Sequence, residues 1–158
     1  LVTSLYFAYG SNMSLAQMAD RCPASPRVGI GKLDGHRLVF PRFSTKRKCG
    51  AASIEPCPDE HVWGVIYDMD PADLIALDGY EGYNPQRAFE LNNYNRKQVR
   101  ILRDREDPVE CLTYVATVQP GEFFPSVHYH GLIHSGAIEN GIPDAYVQKL
   151  VQIPTLTL

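Results

Sequence analysis

The residues whose types and spacing could do chemistry fall in two short stretches. The first is Asp78-Gly79-Tyr80-Glu81-Gly82-Tyr83. A carboxyl between two tyrosines and two glycines, just after a helix, can be partly desolvated. That raises its pKa toward neutrality and makes Glu81 usable as a general base. An exposed turn carboxylate is the plainer alternative. The second stretch is Gly10-Ser11-Asn12, turn residues directly after the apolar, aromatic run Leu5 to Tyr9. A strand that turns tightly into a helix points unpaired backbone N–H groups at one spot beside the helix N-terminus, which suits an anion or a developing oxyanion. Gly10 lets the backbone approach a ligand closely because no Cβ intervenes. An ordinary strand-end turn is the plainer alternative here too.

Two further constellations carry less. His130 and His134 stand four apart in an expected helix, with His128 nearby, a spacing that can bind zinc. No Glu or third ligand accompanies them as a metallohydrolase requires, so solvated or aromatic-packed positions are favoured and no metal is expected. Cys49 sits beside basic residues that could lower its pKa, but the sequence supplies no partner histidine. Cys22, Cys49, Cys57 and Cys111 form no C-x-x-C pair and no dense pattern, which argues for reduced thiols and against a zinc site or a disulfide framework.

The elements that must position these residues read as follows. Leu5 to Tyr9 is a buried strand, and a helix starts after it. Ser14 caps that helix, with Gln17 expected to reach back to the Ser14 N–H; it ends near Arg21-Cys22-Pro23. Four short strands follow, Val28 to Leu33, Arg37 to Phe43, Ala51 to Ile54 and Val62 to Tyr67, separated by Asp34-Gly35, the basic loop and Pro56 to Glu60. Asp70-Pro71 starts a helix of about two turns with Leu74, Ile75 and Leu77 as its apolar face and Gly79 as its end. Further strands are expected over Arg87 to Leu91, Gln98 to Leu102 and Cys111 to Val118. Two helices close the chain, one carrying Tyr129, Ile133 and Ala137, the other starting at Pro143, with Asn140-Gly141 between them. Consecutive short strands suggest a largely antiparallel sheet that can close into a barrel.

Composition bounds the function. The chain has 158 residues, 44% hydrophobic and 21% charged, with a net charge of −3, which fits a globular fold and one domain spanning 1–158. Nothing marks a nucleic-acid footprint; Lys46-Arg47-Lys48 is short and reads as a solvated loop. No apolar run has the length of a membrane span, and the first residues lack the regions of a signal peptide, so a cytoplasmic protein is expected.

The stretch Tyr6-Phe7-Ala8-Tyr9-Gly10-Ser11-Asn12 resembles the opening motif of the gamma-glutamyl cyclotransferase family. The likeness continues in order. Val62-Trp63-Gly64-Val65-Ile66-Tyr67, Leu77-Asp78 and Glu81-Gly82 look like the segment ending in the family's catalytic Glu-Gly, and Cys111 to Tyr114 matches a later strand. Pro125-Ser126 with Tyr129, then Gly136-Ala137, Glu139-Asn140-Gly141 and Pro143, look like its last helices. The resemblance implies an α+β fold on a small, mixed, mostly antiparallel β-barrel with flanking helices and an active cavity at its mouth. It implies Glu81 as the acid/base residue and Tyr6, Phe7, Ala8, Tyr9, Gly10, Ser11, Asn12 and Tyr129 as the substrate-binding set. The family's animal enzymes have a Gly-x-Tyr segment where this chain has Pro85 to Phe89, and Arg42 to Gly50 aligns loosely.

The reaction so implied is attack of a γ-glutamyl substrate's own α-amine on its γ-carbonyl, giving 5-oxoproline and a free amino acid within glutathione metabolism. The nucleophile lies within the substrate and one carboxylate can serve both proton transfers, so no cofactor is expected. The expected partner is a small γ-glutamyl molecule, with no nucleic acid and no membrane, and a homodimer is left open. Cyclisation of γ-glutamylamines and a non-catalytic γ-glutamyl-binding module are the alternatives.

Overall fold

The computed structural model describes residues 4–156. Five strands, β1 (Ser4–Ala8), β2 (Arg27–Ser44), β3 (Cys49–Met69), β4 (Tyr94–Arg103) and β5 (Glu106–Ala116), close into a barrel in the order β1-β3-β2-β4-β5. Every pairing is antiparallel except the closing one, where β1 runs parallel to β5 with Tyr6 opposite Leu112. The mixed, mostly antiparallel barrel expected from sequence is what the chain forms.

Strand boundaries need correction. The four expected short strands are two long ones, β2 and β3, which bend as a single hairpin. Asp34-Gly35 and Pro56 to Glu60 remain as an irregularity where pairing steps from Asp34–His61 to His36–Pro56. Extra residues on one strand bend a hairpin and increase its twist, which lets a few strands close on themselves. The basic loop is the hairpin tip. Arg87 to Leu91 is not a strand; a turn leads into the 3₁₀ segment Phe89–Leu91, with Phe89 and Leu91 largely exposed. Its apolar residues suggested pairing that no neighbouring strand supplies.

Four helices flank the barrel: α1 (Leu15–Arg21), α2 (Pro71–Glu81), α3 (Val127–Glu139) and α4 (Asp144–Val151). Ser14 caps α1 as expected, its Oγ accepting from the Gln17 N–H at 3.3 Å. The Gln17 side chain does not complete the box; it donates to Ser11 Oγ and Asn12 Oδ1, both at 2.8 Å. Asp70 caps α2, with Pro71 at the first helical position. That helix runs past Gly79 to Glu81 and stops at Gly82, whose φ of +66° is the left-handed conformation a C-terminal glycine adopts without strain. Ile75 is not on the apolar face: it is 74% exposed, and buried Asp73 and Leu77 mark the inward side. The buried side of α3 carries Tyr129, Ile133 and Ala137, as expected. In α4 Tyr146, Val147 and Leu150 are buried, whereas Ala145 faces outward.

The core joins the strands to the helices. Phe7, Val62, Val65, Ile66, Leu77 and Ile101 are fully buried in it. No helix among the described residues is long and apolar enough to cross a membrane.

Candidate functional site

Glu81 reaches the site because α2 extends two residues further than its glycine suggests. It lies four residues after buried Leu77, one turn along the same face, so its side chain turns inward. The carboxyl enters the wall of a cavity of about 650 Å³ that the Gly10-Ser11-Asn12 loop also lines. Asn12 ties the loop to Glu81: its Nδ2 donates to Tyr6 Oη at 3.1 Å and reaches Glu81 Oε1 at 3.5 Å.

The loop is a 3₁₀ turn, Ser11–Met13, between β1 and α1. In the first turn of α1 the N–H of Gln17 is engaged by Ser14 and that of Leu15 by Glu139 Oε1 at 2.7 Å. Within the turn, the N–H groups of Met13 and Ser14 bond back to the carbonyls of Gly10 and Ser11. A Cβ on Gly10 would lie 3.5 Å from Ala52 and 4.0 Å from Tyr129 Oη, so a larger side chain there takes up cavity space. Gly10→Val is accordingly expected to keep the fold and lower kcat/KM by on the order of tenfold through displaced substrate. Unchanged kinetics in the folded variant would show that no ligand comes close at this position.

Tyr6, Tyr9, Tyr80, Tyr94, Tyr114 and Tyr129 also line the cavity. Tyr9 donates to the Tyr114 carbonyl at 2.5 Å, Tyr94 donates to the Ala52 carbonyl at 2.5 Å, and the Ala52 N–H donates to Tyr129 Oη at 3.1 Å. Burial raises the pKa of Tyr6, Tyr9 and Tyr94 well above the ordinary phenol value and that of Tyr129 to about 12, so these hydroxyls stay protonated. Tyr114 donates to Asp78 Oδ1 at 2.6 Å, and Arg96 holds the same carboxylate through two nitrogens.

Desolvation is the largest influence on Glu81 and pushes its pKa up to about 7; Arg21 and Arg47 pull it down, and Asp78, one turn earlier on α2, pushes it up. A carboxyl poised near neutrality can both accept and return a proton.

Of the site residues expected from sequence, Tyr6, Tyr9, Gly10, Ser11, Asn12, Glu81 and Tyr129 meet at one cavity. Phe7 and Ala8 are buried in the core beside it: the Phe7 carbonyl accepts from Thr113 Oγ1 and Ala8 pairs with Val65. His130 and His134 stack face to face with centroids 6.3 Å apart, and His130 Nε2 bonds to the Leu150 carbonyl at 2.6 Å. Among the described residues no three His, Cys, Asp or Glu side chains are grouped to hold a metal ion, and the four cysteines are unpaired.

A family model described as the AIG2-like family matches residues 61–150. The chain is 30% identical over 155 residues to the mouse gamma-glutamylcyclotransferase, covering 96% of this chain and 79% of the mouse protein. It is 31% identical over 153 residues to the human gamma-glutamylcyclotransferase, covering 94% and 78%. The chain belongs to the AIG2-like, gamma-glutamylcyclotransferase family. A solved gamma-glutamyl cyclotransferase structure superposes with a TM-score of 0.86 at 27% identity, covering 99% of this chain and 91% of that one. The expected fold is thus the family's fold.

Within that frame, sequence reasoning missed several wall residues of this family member. Lys46 and Arg47, read as a solvated loop, line the cavity; the Arg47 guanidinium lies 4.5 Å above the Tyr129 ring and donates to Ser11 Oγ at 3.3 Å. Arg21 joins them, donating to Asn12 Oδ1 at 3.2 Å. Arg42, Asn93, Tyr94 and Tyr114 come from strands and loops far apart in sequence. The basic cluster at a hairpin tip was the one available signal; the others are brought in by barrel closure.

Proposed function

We propose that the protein converts γ-glutamyl amino acids to 5-oxoproline and a free amino acid, with Glu81 as the proton-transfer residue. The observation that carries this reading is a half-buried carboxyl with a pKa near 7 in the wall of a tyrosine-lined cavity that the Gly10-Ser11-Asn12 loop shares.

The chemistry follows from that arrangement. The glutamyl part binds curled, its α-ammonium toward Glu81. Glu81 takes one proton, and the freed amine attacks the γ-carbonyl carbon. As the ring C–N bond forms, negative charge gathers on the carbonyl oxygen, where turn N–H groups and protonated tyrosines are suited to receive it. Glu81 then gives that proton to the amide nitrogen, the old C–N bond breaks as the carbonyl re-forms, and the ring nitrogen sheds its second proton through Glu81 to the departing amine, so the products are the neutral lactam and the amino acid with its ammonium group. Holding amine and carbonyl together supplies much of the rate, since the attack is intramolecular. Tyr6, Tyr9, Gly10 to Asn12 and Tyr129 are the substrate-binding residues of this reading, with Phe7 and Ala8 supporting them from the core. A cytoplasmic setting suits reduced thiols and this metabolism.

The test is a substrate panel of γ-glutamyl amino acids, a γ-glutamylamine and glutathione, incubated with chelator, with 5-oxoproline measured. Release from γ-glutamyl amino acids is expected, undiminished by chelator. Activity that vanishes on chelation and returns with zinc would overturn the cofactor-free mechanism, and activity confined to the amine would move the reading to γ-glutamylamines.

A further inference from the structure

The cavity carries positive charge that its own walls do not balance. Arg21, Arg42, Lys46 and Arg47 line it, and among the described residues Glu81 is the sole carboxylate in the wall. None of these four cations takes part in the ion pairs of the described residues. Their fixed contacts are neutral. Arg42 donates to the Thr117 carbonyl and Asn93 Oδ1, Arg47 to Ser11 Oγ and Gln17 Oε1, and Arg21 to Asn12 Oδ1. Arg21 and Lys46 also lie over the Tyr80 ring, 4.7 and 5.6 Å from its centroid. Such contacts hold the cations in place and leave their charge for a ligand.

Arg21, Lys46, Arg47 and Tyr129 border a second cavity of about 360 Å³, completed by Ser126 and His128, with no acidic residue in its wall. The two cavities are therefore neighbours across a bar of basic side chains. On the cyclisation reading the γ-glutamyl part sits beside Glu81 in the first cavity, and the basic bar is the part of the shared lining that attracts a negatively charged leaving part.

We propose that the second cavity is the subsite for the leaving residue and that it selects γ-glutamyl dipeptides whose leaving amino acid has an acidic side chain. This rests on the cyclisation reading above. The α-carboxylate of any leaving amino acid meets part of the surplus charge, and a second carboxylate meets more of it. Lys46 is exposed at the hairpin tip, where it can follow that second carboxylate.

The experiment compares γ-glutamyl-glutamate with γ-glutamyl-glutamine, which match in shape and differ in side-chain charge, by 5-oxoproline release at low and high salt. At low salt the kcat/KM ratio is expected to favour the glutamate by on the order of tenfold, as expected of a few partly solvated cations acting together. Added salt should shrink it. In Lys46→Glu, a substitution at an exposed position, the ratio should fall to about one or below. A wild-type ratio near one, or a ratio unmoved by Lys46→Glu, overturns the subsite while leaving cyclisation standing. Absence of 5-oxoproline from both dipeptides overturns the cyclisation reading and the subsite with it.

Discussion

Glu81→Gln is expected to lower 5-oxoproline release by about 10²- to 10⁴-fold while changing substrate affinity little. Glutamine keeps the volume and can still accept from Asn12, but it cannot accept the ammonium proton. The loss should therefore fall on kcat. Near-wild-type turnover in this variant would remove Glu81 from the mechanism. It would also separate a catalyst from a γ-glutamyl-binding module, since a binder has no turnover to lose.

Acidity gives the same substitution a second signature. Because the base is the ionised carboxylate, wild-type rate should fall as pH drops below about 7, the value to which burial raises Glu81. The acidic limb should disappear from the residual activity of Glu81→Gln. Stability runs the other way. A carboxyl whose folded pKa lies above its unfolded pKa stabilises the fold most below the unfolded value, and that contribution is lost as pH rises toward 7. At pH 8 the wild type holds an ionised carboxylate in a site that disfavours it. Glu81→Gln should then unfold at higher denaturant concentration than the wild type, by about 1–3 kcal/mol, with the advantage fading near pH 4. A stability difference independent of pH would mean that Glu81 is solvated.

How much of this was legible in the sequence depended on whether the cause was local. The first strand, the Ser14 and Asp70 caps and the face of α3 are set by neighbouring residues; each formed, with the strand one residue earlier at Ser4–Ala8 and the Gln17 half of the Ser14 capping box left unmade. The placement of Glu81 was nearly legible. Gly79 looked like a helix end, but Gly82 holds the left-handed conformation, and the two-residue extension changes Glu81 from a loop residue into an inward-facing helical one. Asp34-Gly35 and Pro56 to Glu60 looked like loops because turn residues also serve at bulges, and only the pairing of β2 with β3 distinguishes the two. The cationic wall was hidden for a different reason. Arg21, Arg42 and Arg47 belong to a helix, a strand and a hairpin tip, and nothing in their spacing shows that barrel closure aims them at one cavity.

Gly136→Ala should damage the site from behind, although helix propensity alone favours alanine. Gly136 lies in α3 where the helix crosses the loop, and a Cβ there would sit 2.9 Å from the Met13 carbonyl carbon and from the Ser14 nitrogen. Both are backbone atoms and cannot rotate away, so helix and loop must separate. Two ties hold them together at this point: Asn140 Nδ2 donates to the Met13 carbonyl at 2.7 Å, and Glu139 Oε1 accepts from the Leu15 N–H. Separation strains both and shifts Ser11 and Asn12 relative to Tyr129, which stands two turns earlier on the same helix. Overpacking of this kind costs about 1–3 kcal/mol, and a displacement of the loop by about 1 Å can lower kcat/KM by about 10²-fold. Gly131 of the same helix provides the control, because a Cβ there meets nothing within 4 Å. Gly131→Ala should stabilise the protein by about 0.5–1 kcal/mol and leave turnover intact. If Gly136→Ala matches Gly131→Ala in unfolding midpoint and in 5-oxoproline release, α3 does not press against the loop, and its role in holding Ser11 and Asn12 opposite Glu81 must be given up.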